Sequence, residues 1–232
     1  MTDDNLLTRG FFGRRKGRPL GLSQKNLSES LLPDLLISIN EDKISNLQEL
    51  FPITLTNFQL EIGFGGGEHL LHRMQQNPTT GFIGVEPFIN GIGKLLSKLE
   101  LDPNLCKRLR LYNDDAVNLL NYLPSEQLSV IDLLYPDPWP KKRHWKRRFL
   151  NKSNLDHFAR LLKKDGIFRF ASDIESYVTW TLAHINQNKF LHWQLEHPLD
   201  YYTAYPGWIS TRYEQKALRE GRTPHYLTFR KS

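Results

Sequence analysis

Apolar residues follow two different spacings along the chain, and the alternation between them predicts repeated β–α units. Short runs that are almost wholly apolar are typical of strands buried on both faces, whereas apolar positions three or four residues apart are typical of helices. The apolar runs predict seven strands, over residues 58–63, 81–86, 108–112, 128–134, 166–171, 191–196 and 226–230. The helical spacing predicts helices over about 67–76, 89–99, 115–122, 148–163 and 175–188.

This order of elements predicts an α/β fold with a mostly parallel sheet and helices on both of its faces. The last two strands have no helix of core length predicted between them, so we expect an antiparallel pair at one edge of the sheet. Before the first strand, Pro33 and Asp34 predict a short helix, and Ile44, Leu47 and Leu50 lie at helical spacing. In such folds ligands bind at the carboxyl ends of the strands.

The chain divides into a short basic segment and one domain. Residues 1–25 are rich in glycine and cations and lack a clear period, which predicts a flexible N-terminal arm. Residues 26–232 are enough for a single domain with a full core.

The charge of the chain points to an anionic partner. The formal net charge is +6, and seven Lys and Arg with no acid fall between Lys141 and Lys152. Five more cations lie between residues 9 and 18, among phenylalanines and glycines. Basic clusters that also carry aromatic residues favour nucleic acid as the partner.

Several classes of protein are excluded by composition. Cys106 is the only cysteine, so an internal disulfide is impossible and a reducing compartment is expected. Apolar runs stay shorter than the roughly 18 residues that a membrane span needs, and the N-terminus lacks a secretory pattern. We therefore expect a cytoplasmic protein that does not enter a membrane.

A glycine-rich loop follows the first predicted strand, in the sequence Glu61-Ile-Gly63-Phe-Gly65-Gly-Gly67-Glu68. Gly63 and Gly65 allow a tight turn and close approach of the backbone to a ligand. Glu68 stands where a dinucleotide fingerprint needs its third glycine, and a carboxylate there opposes a pyrophosphate. The loop instead suits a ligand that is cationic near its reacting end, such as S-adenosylmethionine.

Further acids follow the next two predicted strands. Glu86 ends the second strand about twenty residues after the glycine loop, where an acid commonly accepts from ribose hydroxyls. Asp114 and Asp115 follow the third strand and could meet an adenine, although Asp115 could equally cap the next helix.

The loop after the fourth predicted strand combines Pro136, Asp137, Pro138, Trp139 and Pro140. Proline restricts φ and removes a backbone donor, so the loop is stiff and cannot continue the strand. A carboxylate and an indole are thereby held beside the basic run, and the indole could stack on a base or cover the edge of the core.

Two histidines on the first predicted helix are spaced like metal ligands. His69 and His72 are three residues apart, but no cysteine or acid accompanies them at zinc-site spacing. We therefore predict that the protein binds no metal.

Taken together, several segments closely resemble those of the bacterial tRNA (guanine-N7-)-methyltransferases, and the resemblance runs from the FFGRRKGR arm to the last strand. The segments are EIGFGGG, GVEP, DDAV, YPDPWPKKRHWKRR, SDIESY and TRYEQKALREG. The resemblance implies a Rossmann-like class I methyltransferase fold, S-adenosylmethionine as methyl donor and tRNA as substrate. It further implies methylation of guanine N7 at guanosine 46 of the variable loop.

The resemblance also implies roles for individual residues. Contacts to S-adenosylmethionine are implied for Glu61, Glu86, Asp115 and Asp137. Contacts to tRNA or guanine are implied for Lys141, Asp173, Thr211, Arg212, Tyr213 and Glu214. The chain departs from many relatives at Ile174, where they have tryptophan, and from some at Pro140, where they have histidine.

Asp137 is the predicted catalytic residue. Guanine N7 has an available lone pair and needs no general base, so alignment and a negative environment are what the reaction requires. Asp137 would accept from the N1–H or N2–H₂ edge of guanine or stabilise the developing positive charge, with Asp173 and Glu214 nearby. We expect Asp137 and Asp173 to converge, because both follow strands on the ligand side of the sheet. Lys141, Lys142, Arg143, Arg147 and Arg148 are expected to meet phosphates.

Two other kinds of function compete with this interpretation. A methyltransferase that acts on another nucleic-acid atom is the nearest, and a non-catalytic nucleic-acid-binding α/β module would keep the basic clusters but needs no glycine loop with Glu61 and Glu86. An NAD-dependent oxidoreductase is disfavoured by Glu68. Whether the protein is a monomer or a homodimer stays open.

Overall fold

A computed structural model describes residues 12–39 and 43–232 of the protein. The first eleven residues of the predicted arm lie outside the described residues. Within the described part of the chain, no helix has both the length and the hydrophobicity that crossing a bilayer requires.

The centre of the structure is a seven-stranded sheet with the strand order β3-β2-β1-β4-β5-β7-β6. The strands are β1 (Asn57–Ile62), β2 (Thr80–Val85), β3 (Leu109–Tyr112), β4 (Leu128–Leu134), β5 (Leu162–Ser172), β6 (Leu191–Trp193) and β7 (His225–Lys231). Strands β1 to β5 pair in parallel, whereas β7 runs antiparallel to both β5 and β6. The predicted mostly parallel sheet and the antiparallel pair at its edge are confirmed.

Helices and shorter helical turns cover both faces of this sheet. The α-helices are α1 (Leu22–Ser30), α2 (Leu32–Leu35), α3 (Glu68–Gln76), α4 (Ile89–Leu99), α5 (Pro103–Cys106), α6 (Ala116–Tyr122), α7 (Lys152–Leu161), α8 (Glu175–Ile185) and α9 (Arg212–Arg219). Turns of 3₁₀-helix lie at Leu47–Leu50, Lys142–Arg147 and Pro198–Tyr202.

Several elements differ from the prediction, including helix α5, which was not predicted, and strand β5, which begins four residues earlier than predicted. Helix α7 begins at Lys152 instead of residue 148, because Asn151 caps it by accepting from the Asn154 N–H at 3.1 Å. Helix α9, which was not predicted, buries only Glu214 and Ala217 and so carries no apolar stripe that the sequence could reveal. Helix α1 was also not predicted and begins inside the proposed arm, whose boundary at residue 25 stays a prediction.

The core forms two layers because successive side chains of a strand point to opposite faces. On one face, Leu60 and Ile62 of β1 pack with α6, α7 and α8 in the larger apolar cluster. On the other face, Phe82 of β2 packs with α3 and α4 in the second cluster. On β1, β4 and β5 the same face carries the charged residues Glu61, Asp132 and Arg169. The carboxyl ends of these strands lie at one edge, which is where open α/β sheets bind their ligands.

Candidate active site

The glycine loop, residues 63–67, turns sharply between β1 and α3. Gly63, Gly65 and Gly67 have φ values of +76°, +58° and +74°, the left-handed region that only glycine adopts without strain. Helix α4 packs directly against this backbone through Gly91. A Cβ atom on Gly91 would lie 2.3 Å from the carbonyl oxygen of Gly65. The loop is therefore in direct backbone contact with α4.

Glu86 fastens the glycine loop to the end of β2. Its Oε2 accepts from the Gly65 N–H at 2.7 Å, and its Oε1 accepts from the Phe88 N–H at 2.9 Å. Burial of the side chain raises the pKa of Glu86, against the effect of the two backbone N–H donors. Each carboxylate oxygen keeps a second lone pair, so the group can also accept from a ligand hydroxyl.

A cavity opens beside the glycine loop at the carboxyl end of β1, with an empty volume of about 320 Å³ that includes its mouth. Its lining residues come from the loop, α3, β4 and the start of α9: Glu61, Gly63, Phe64, Gly66, Glu68, His69, Leu134, Thr211, Arg212 and Tyr213. The structure therefore brings two predicted cofactor residues together with three residues predicted to contact tRNA.

The start of α9 covers this cavity. Arg212 forms an ion pair with Glu68 at 3.6 Å, and the Tyr213 ring lies 3.6 Å from the point that a Cβ on Gly65 would occupy. Lys98 also pairs with Glu68, at 3.5 Å. The carboxylate that departs from the dinucleotide pattern is thus neutralised by two cations.

Thr211 and Glu214 cap α9 and hold its start in place. Thr211 Oγ1 accepts from the Glu214 N–H at 3.2 Å, and the Glu214 carboxylate accepts from the Thr211 N–H at 3.3 Å. The Trp208 indole N–H and the Tyr226 hydroxyl also donate to Glu214, which is only 4% exposed. Both residues have a structural role here, and their contact with tRNA stays a prediction.

Asp115 caps α6, one of its two predicted roles. Its Oδ1 accepts from the Val117 N–H at 3.0 Å. The neighbouring Asp114 forms an ion pair with Arg15 at 2.6 Å. The described part of the arm thereby reaches the end of β3, and the Ile89 N–H donates to the Arg15 carbonyl at 3.1 Å.

Asp137 lies in the PDPW loop, residues 135–140, which follows β4. Its side chain is exposed, and no described residue forms a hydrogen bond or ion pair with it. The surrounding protein still removes enough water to raise the pKa of Asp137 by desolvation. Strand β4 lies directly beside β1, with Leu133 paired to Ile62, so the PDPW loop and the glycine loop follow neighbouring strands at the same edge of the sheet.

The PDPW loop has an uncommon backbone. Tyr135 and Trp139 have φ values of +50° and +45°, which for residues with side chains costs about 1–3 kcal/mol each. The Trp139 indole contacts the rings of Phe12 and His144, at centroid distances of 6.4 and 5.9 Å, and the Arg147 guanidinium lies 5.0 Å from its centre. Trp139 therefore packs against the arm and the basic run, and base stacking by it stays a prediction.

The basic run divides into exposed and buried cations. Lys141, Lys142 and Arg143 are exposed on the surface next to the PDPW loop. Arg148 is only 2% exposed and donates to the Pro138 carbonyl at 2.9 Å. The prediction that Arg148 meets phosphates is wrong, because its guanidinium is buried and donates a hydrogen bond inside the protein.

Asp173 lies in a second, open depression rather than in the glycine-loop cavity. It pairs with Arg222, and the depression is lined by Asp173, Glu175, Tyr202, Arg222, Thr223 and His225. The expected meeting of Asp137 and Asp173 in one cavity is therefore not seen. Ile174, where many relatives have tryptophan, packs against the larger apolar cluster.

A buried charged network below the cavity was missed by the sequence analysis. Glu61, Asp132 and Arg169 are register partners on β1, β4 and β5, so they form a row on one face of the sheet. Arg169 donates to both carboxylate oxygens of Asp132, at 2.6 and 2.8 Å, while His69 Nδ1 lies 2.7 Å from Glu61. The signal was present in the sequence, since each of the apolar runs 58–63, 128–134 and 166–171 carries one charged residue.

Tyr205 joins this network to the chain between β6 and β7, residues 194–224, which we call the cover segment. Its hydroxyl contacts His69 Nε2, and the Arg169 guanidinium lies 3.8 Å from the centre of its ring. His72 Nε2 also approaches the Gly207 carbonyl at 3.0 Å. The two histidines that the sequence analysis compared with metal ligands therefore anchor the cover segment.

Among the described residues, Glu61, His69 and Asp132 could offer metal ligands, because their ligand atoms lie within 4.8 Å of one another. All three side chains already have partners within the protein. Both Asp132 oxygens accept from Arg169, and Glu61 contacts His69. Arg169 supplies the positive charge that a cation would bring, and the absence of a metal stays a prediction.

We predict that Gly91→Ala weakens both the fold and the glycine loop, whereas Gly93→Ala on the same helix does not. Alanine favours a helix over glycine by about 1 kcal/mol, so helix propensity alone would stabilise both variants. At Gly91 the new Cβ meets the rigid Gly65 carbonyl at 2.3 Å, whereas at Gly93 it meets the flexible end of Leu20 at 3.1 Å. Urea unfolding and calorimetric titration with S-adenosylmethionine measure the two effects. Equal stability and equal affinity in both variants would contradict the proposed contact.

We predict that the stability contributed by His69 declines with rising pH. Burial opposes protonation, but the Glu61 and Asp132 carboxylates outweigh it and raise the pKa of His69 above its usual 6.5. A raised folded-state pKa stabilises the protein fully below pH 6.5, and this stabilisation is lost as the pH rises through the folded-state pKa. Urea unfolding should therefore separate wild type from His69→Gln more at pH 6 than at pH 9, with His72→Gln as the control for losing a histidine. A difference that is constant with pH would refute a charged His69.

Comparisons with known proteins agree with this geometry. A family model described as "Putative methyltransferase" matches residues 56–227. A protein of Bartonella henselae is 56% identical over 230 residues, covering 99% of each chain, and one of Rhizobium meliloti is 52% identical over 225 residues, covering 97% of this chain and 96% of that one. Both are named tRNA (guanine-N(7)-)-methyltransferase.

Solved structures show the same fold at low sequence identity. The 16S rRNA methyltransferase KamB is 14% identical with a TM-score of 0.51, and the aminoglycoside resistance methyltransferase NpmB1 is 13% identical with a TM-score of 0.52. Each match covers 77% of this chain and 89% of the other chain. The predicted Rossmann-like methyltransferase fold is confirmed. With more than half of its sequence identical to full-length relatives, the chain belongs to the tRNA (guanine-N(7)-)-methyltransferase family.

Proposed function

We propose that the protein transfers the methyl group of S-adenosylmethionine to N7 of a guanine in tRNA. One observation carries the proposal: the exposed Asp137 carboxylate, with which no described residue forms a hydrogen bond or ion pair, follows the strand next to the one that ends in the glycine loop, and exposed cations follow it in the chain. Such a place suits a reaction between a cationic donor and a polyanionic acceptor. Guanosine 46 of the variable loop is the proposed target, on the basis of the family.

The cavity is suited to a donor that is cationic and lacks phosphate. S-adenosylmethionine supplies a methyl group on a positively charged sulfur, together with an ammonium group. Glu61 faces the cavity with a carboxylate, and Glu86 stands at the end of β2, where it can accept from ribose hydroxyls. Gly63 lies in the cavity wall, Gly65 is proposed to contact the donor from the same loop, and Asp115 after β3 is proposed to lie on the adenine side.

Asp137 is proposed as the catalytic residue. The reaction moves positive charge from sulfur to the imidazole ring of guanine, so a carboxylate held near that ring lowers the energy of the transition state. The stiff PDPW loop fixes this carboxylate before the substrate arrives, which avoids the cost of orienting it during the reaction. No proton has to leave N7, so no general base is needed.

The exposed cations beside Asp137 are proposed to hold tRNA. Lys141, Lys142 and Arg143 extend from the 3₁₀ turn that follows the PDPW loop. Contacts to phosphate orient a nucleic acid without reading its sequence. Arg212 and Tyr213 stand over the glycine loop, so we propose that they contact substrate where it meets the cofactor cavity. Asp173 is proposed to contact the tRNA from the second depression.

We expect the purified protein to transfer labelled methyl groups from S-adenosylmethionine to total tRNA, with the label on guanine N7. Digestion of the tRNA and mapping of the modified nucleotide measure this directly. Label on guanine N2 or on adenine would favour the alternative, a methyltransferase acting on another atom. Tight tRNA binding without any transfer would favour the non-catalytic module.

Asp137→Asn tests the role of the carboxylate in the same assay, since it keeps the shape of the side chain and removes its charge. We expect methyl transfer to fall by at least about 100-fold, a typical effect of removing one electrostatic group from a transition state. Affinity for S-adenosylmethionine should change much less. Equal losses in transfer and in cofactor affinity would show that Asp137 acts mainly by binding the donor.

We expect tRNA affinity to fall steeply with salt, and this slope to depend on the exposed cations. Each phosphate contact contributes roughly 0.7–0.9 to the slope of log affinity against log salt concentration. Lys142→Ala combined with Arg143→Ala should therefore reduce the slope by about 1.4–1.8. Lys164→Ala, at the amino end of β5 and away from the site, serves as control. An unchanged slope in the double variant would rule out these residues as phosphate contacts.

A further inference from the structure

We propose that Arg148 is a positioning residue that clamps the PDPW loop to the start of α8 and so sets where Asp137 stands. The inference rests on the proposed function for its readout in methyl transfer. It assigns to Arg148 a role in the reaction that involves no contact with tRNA, although the residue ends a run of cations.

The guanidinium of Arg148 spans two loops of the site. Its Nε–H donates to the Pro138 carbonyl at 2.9 Å, immediately after Asp137. Its two terminal nitrogens donate to Ser176, one to the carbonyl at 2.8 Å and the other to Oγ at 3.0 Å. Ser176 lies in the first turn of α8, three residues after Asp173. One side chain therefore links the loop that carries Asp137 to the helix that follows Asp173.

The clamp is enclosed by aromatic rings. The Arg148 guanidinium lies 4.4 Å from the centre of the Trp145 ring, 4.8 Å from that of Tyr177 and 5.5 Å from that of Trp180. Burial lowers the pKa of Arg148, but an arginine side chain stays charged in proteins. No carboxylate among the described residues pairs with it, so carbonyl oxygens and ring faces balance the charge.

The PDPW loop needs a support from outside itself. Pro136, Pro138 and Pro140 have no N–H group and cannot donate to neighbouring backbone. The Tyr135 N–H donates to the Ala171 carbonyl at the base of the loop, at 2.8 Å. Beyond that point the loop is held through its carbonyls, by Arg148 at Pro138 and by the Trp145 indole at Pro140, at 3.3 Å. The bond to Pro138 is the one adjacent to Asp137.

Lysine cannot reproduce this arrangement. The planar guanidinium donates in three fixed directions at once, whereas an ammonium group is a single point on a flexible stem. Arg148→Lys keeps the charge and most of the volume but cannot reach Pro138 and both Ser176 acceptors together. The substitution therefore separates the clamp from the charge.

The experiment compares Arg148→Lys with Arg160→Lys. Arg160 is a matched control, since it also donates to main-chain carbonyls, those of Leu120 and Leu123, but lies at the end of α7 away from the site. We expect Arg148→Lys to lower kcat by at least tenfold, with the Kd for S-adenosylmethionine and the KM for tRNA each changed by less than about threefold. Arg160→Lys should keep the wild-type kcat. The loss is expected in kcat because Arg148 acts through Asp137, whose carboxylate is proposed to stabilise the transition state.

Hydrogen exchange of the segment 135–147 provides a second measurement that needs no catalysis. Exchange there should be faster in Arg148→Lys than in wild type and unchanged in Arg160→Lys. Ser176→Ala, which removes only the bond to Oγ, should give an intermediate exchange rate and kcat, and it replaces Arg148→Lys if that variant does not fold. Wild-type kcat and exchange in the variants would overturn the proposal, as would a tRNA KM that rises in place of the fall in kcat. If the wild type transfers no methyl group, the proposed function fails, and exchange alone still tests the clamp.

Discussion

The ion pair between Asp132 and Arg169 is the interaction on which the row of buried charged residues in the sheet depends. A buried charge is tolerated only when it is paired and fully hydrogen-bonded, and removing one partner is strongly destabilising. Burial alone would lower the pKa of Arg169, but the Asp132 carboxylate raises it, so the guanidinium stays charged. With Asp132 satisfied by Arg169, Glu61 on the next strand is left to His69, and an acid can stand in the wall of the cavity.

The same network controls how the cavity is closed. Tyr205 rests its ring on Arg169 and its hydroxyl on His69, so the cover segment is attached to the sheet by the charges beneath it. The attachment brings the start of α9 over the glycine loop. The cavity, the cover segment and the strand ends thus form one connected unit, and a change in the buried ion pair would alter the mouth of the cavity.

The sequence was informative where periodicity or loop chemistry is local. Strand β4 and helix α4 were predicted with the bounds that the structure has, and the glycine loop follows β1 as its spacing predicted, whereas the role of Glu86 toward a ribose stays a prediction. Arg148 was misjudged because it ends a run of cations, and its burial depends on Tyr177 and Trp180, about thirty residues further along the chain. Helix α9 was missed because its buried residues are Glu214, which belongs to the helix cap, and Ala217, and these do not form an apolar stripe. Both errors concern contacts between distant segments, which no local pattern encodes.

The pairing of His69 with Tyr205 has a consequence for the newly made chain. The two residues are separated by 136 positions, so the ribosome has built the glycine loop and most of the sheet long before the cover segment exists. Strand β7, which comes later still, must enter between β5 and the three-residue β6 before that edge is complete. Contacts of this range form late in folding. The residues that cover the cavity are therefore synthesised well after those that form its floor.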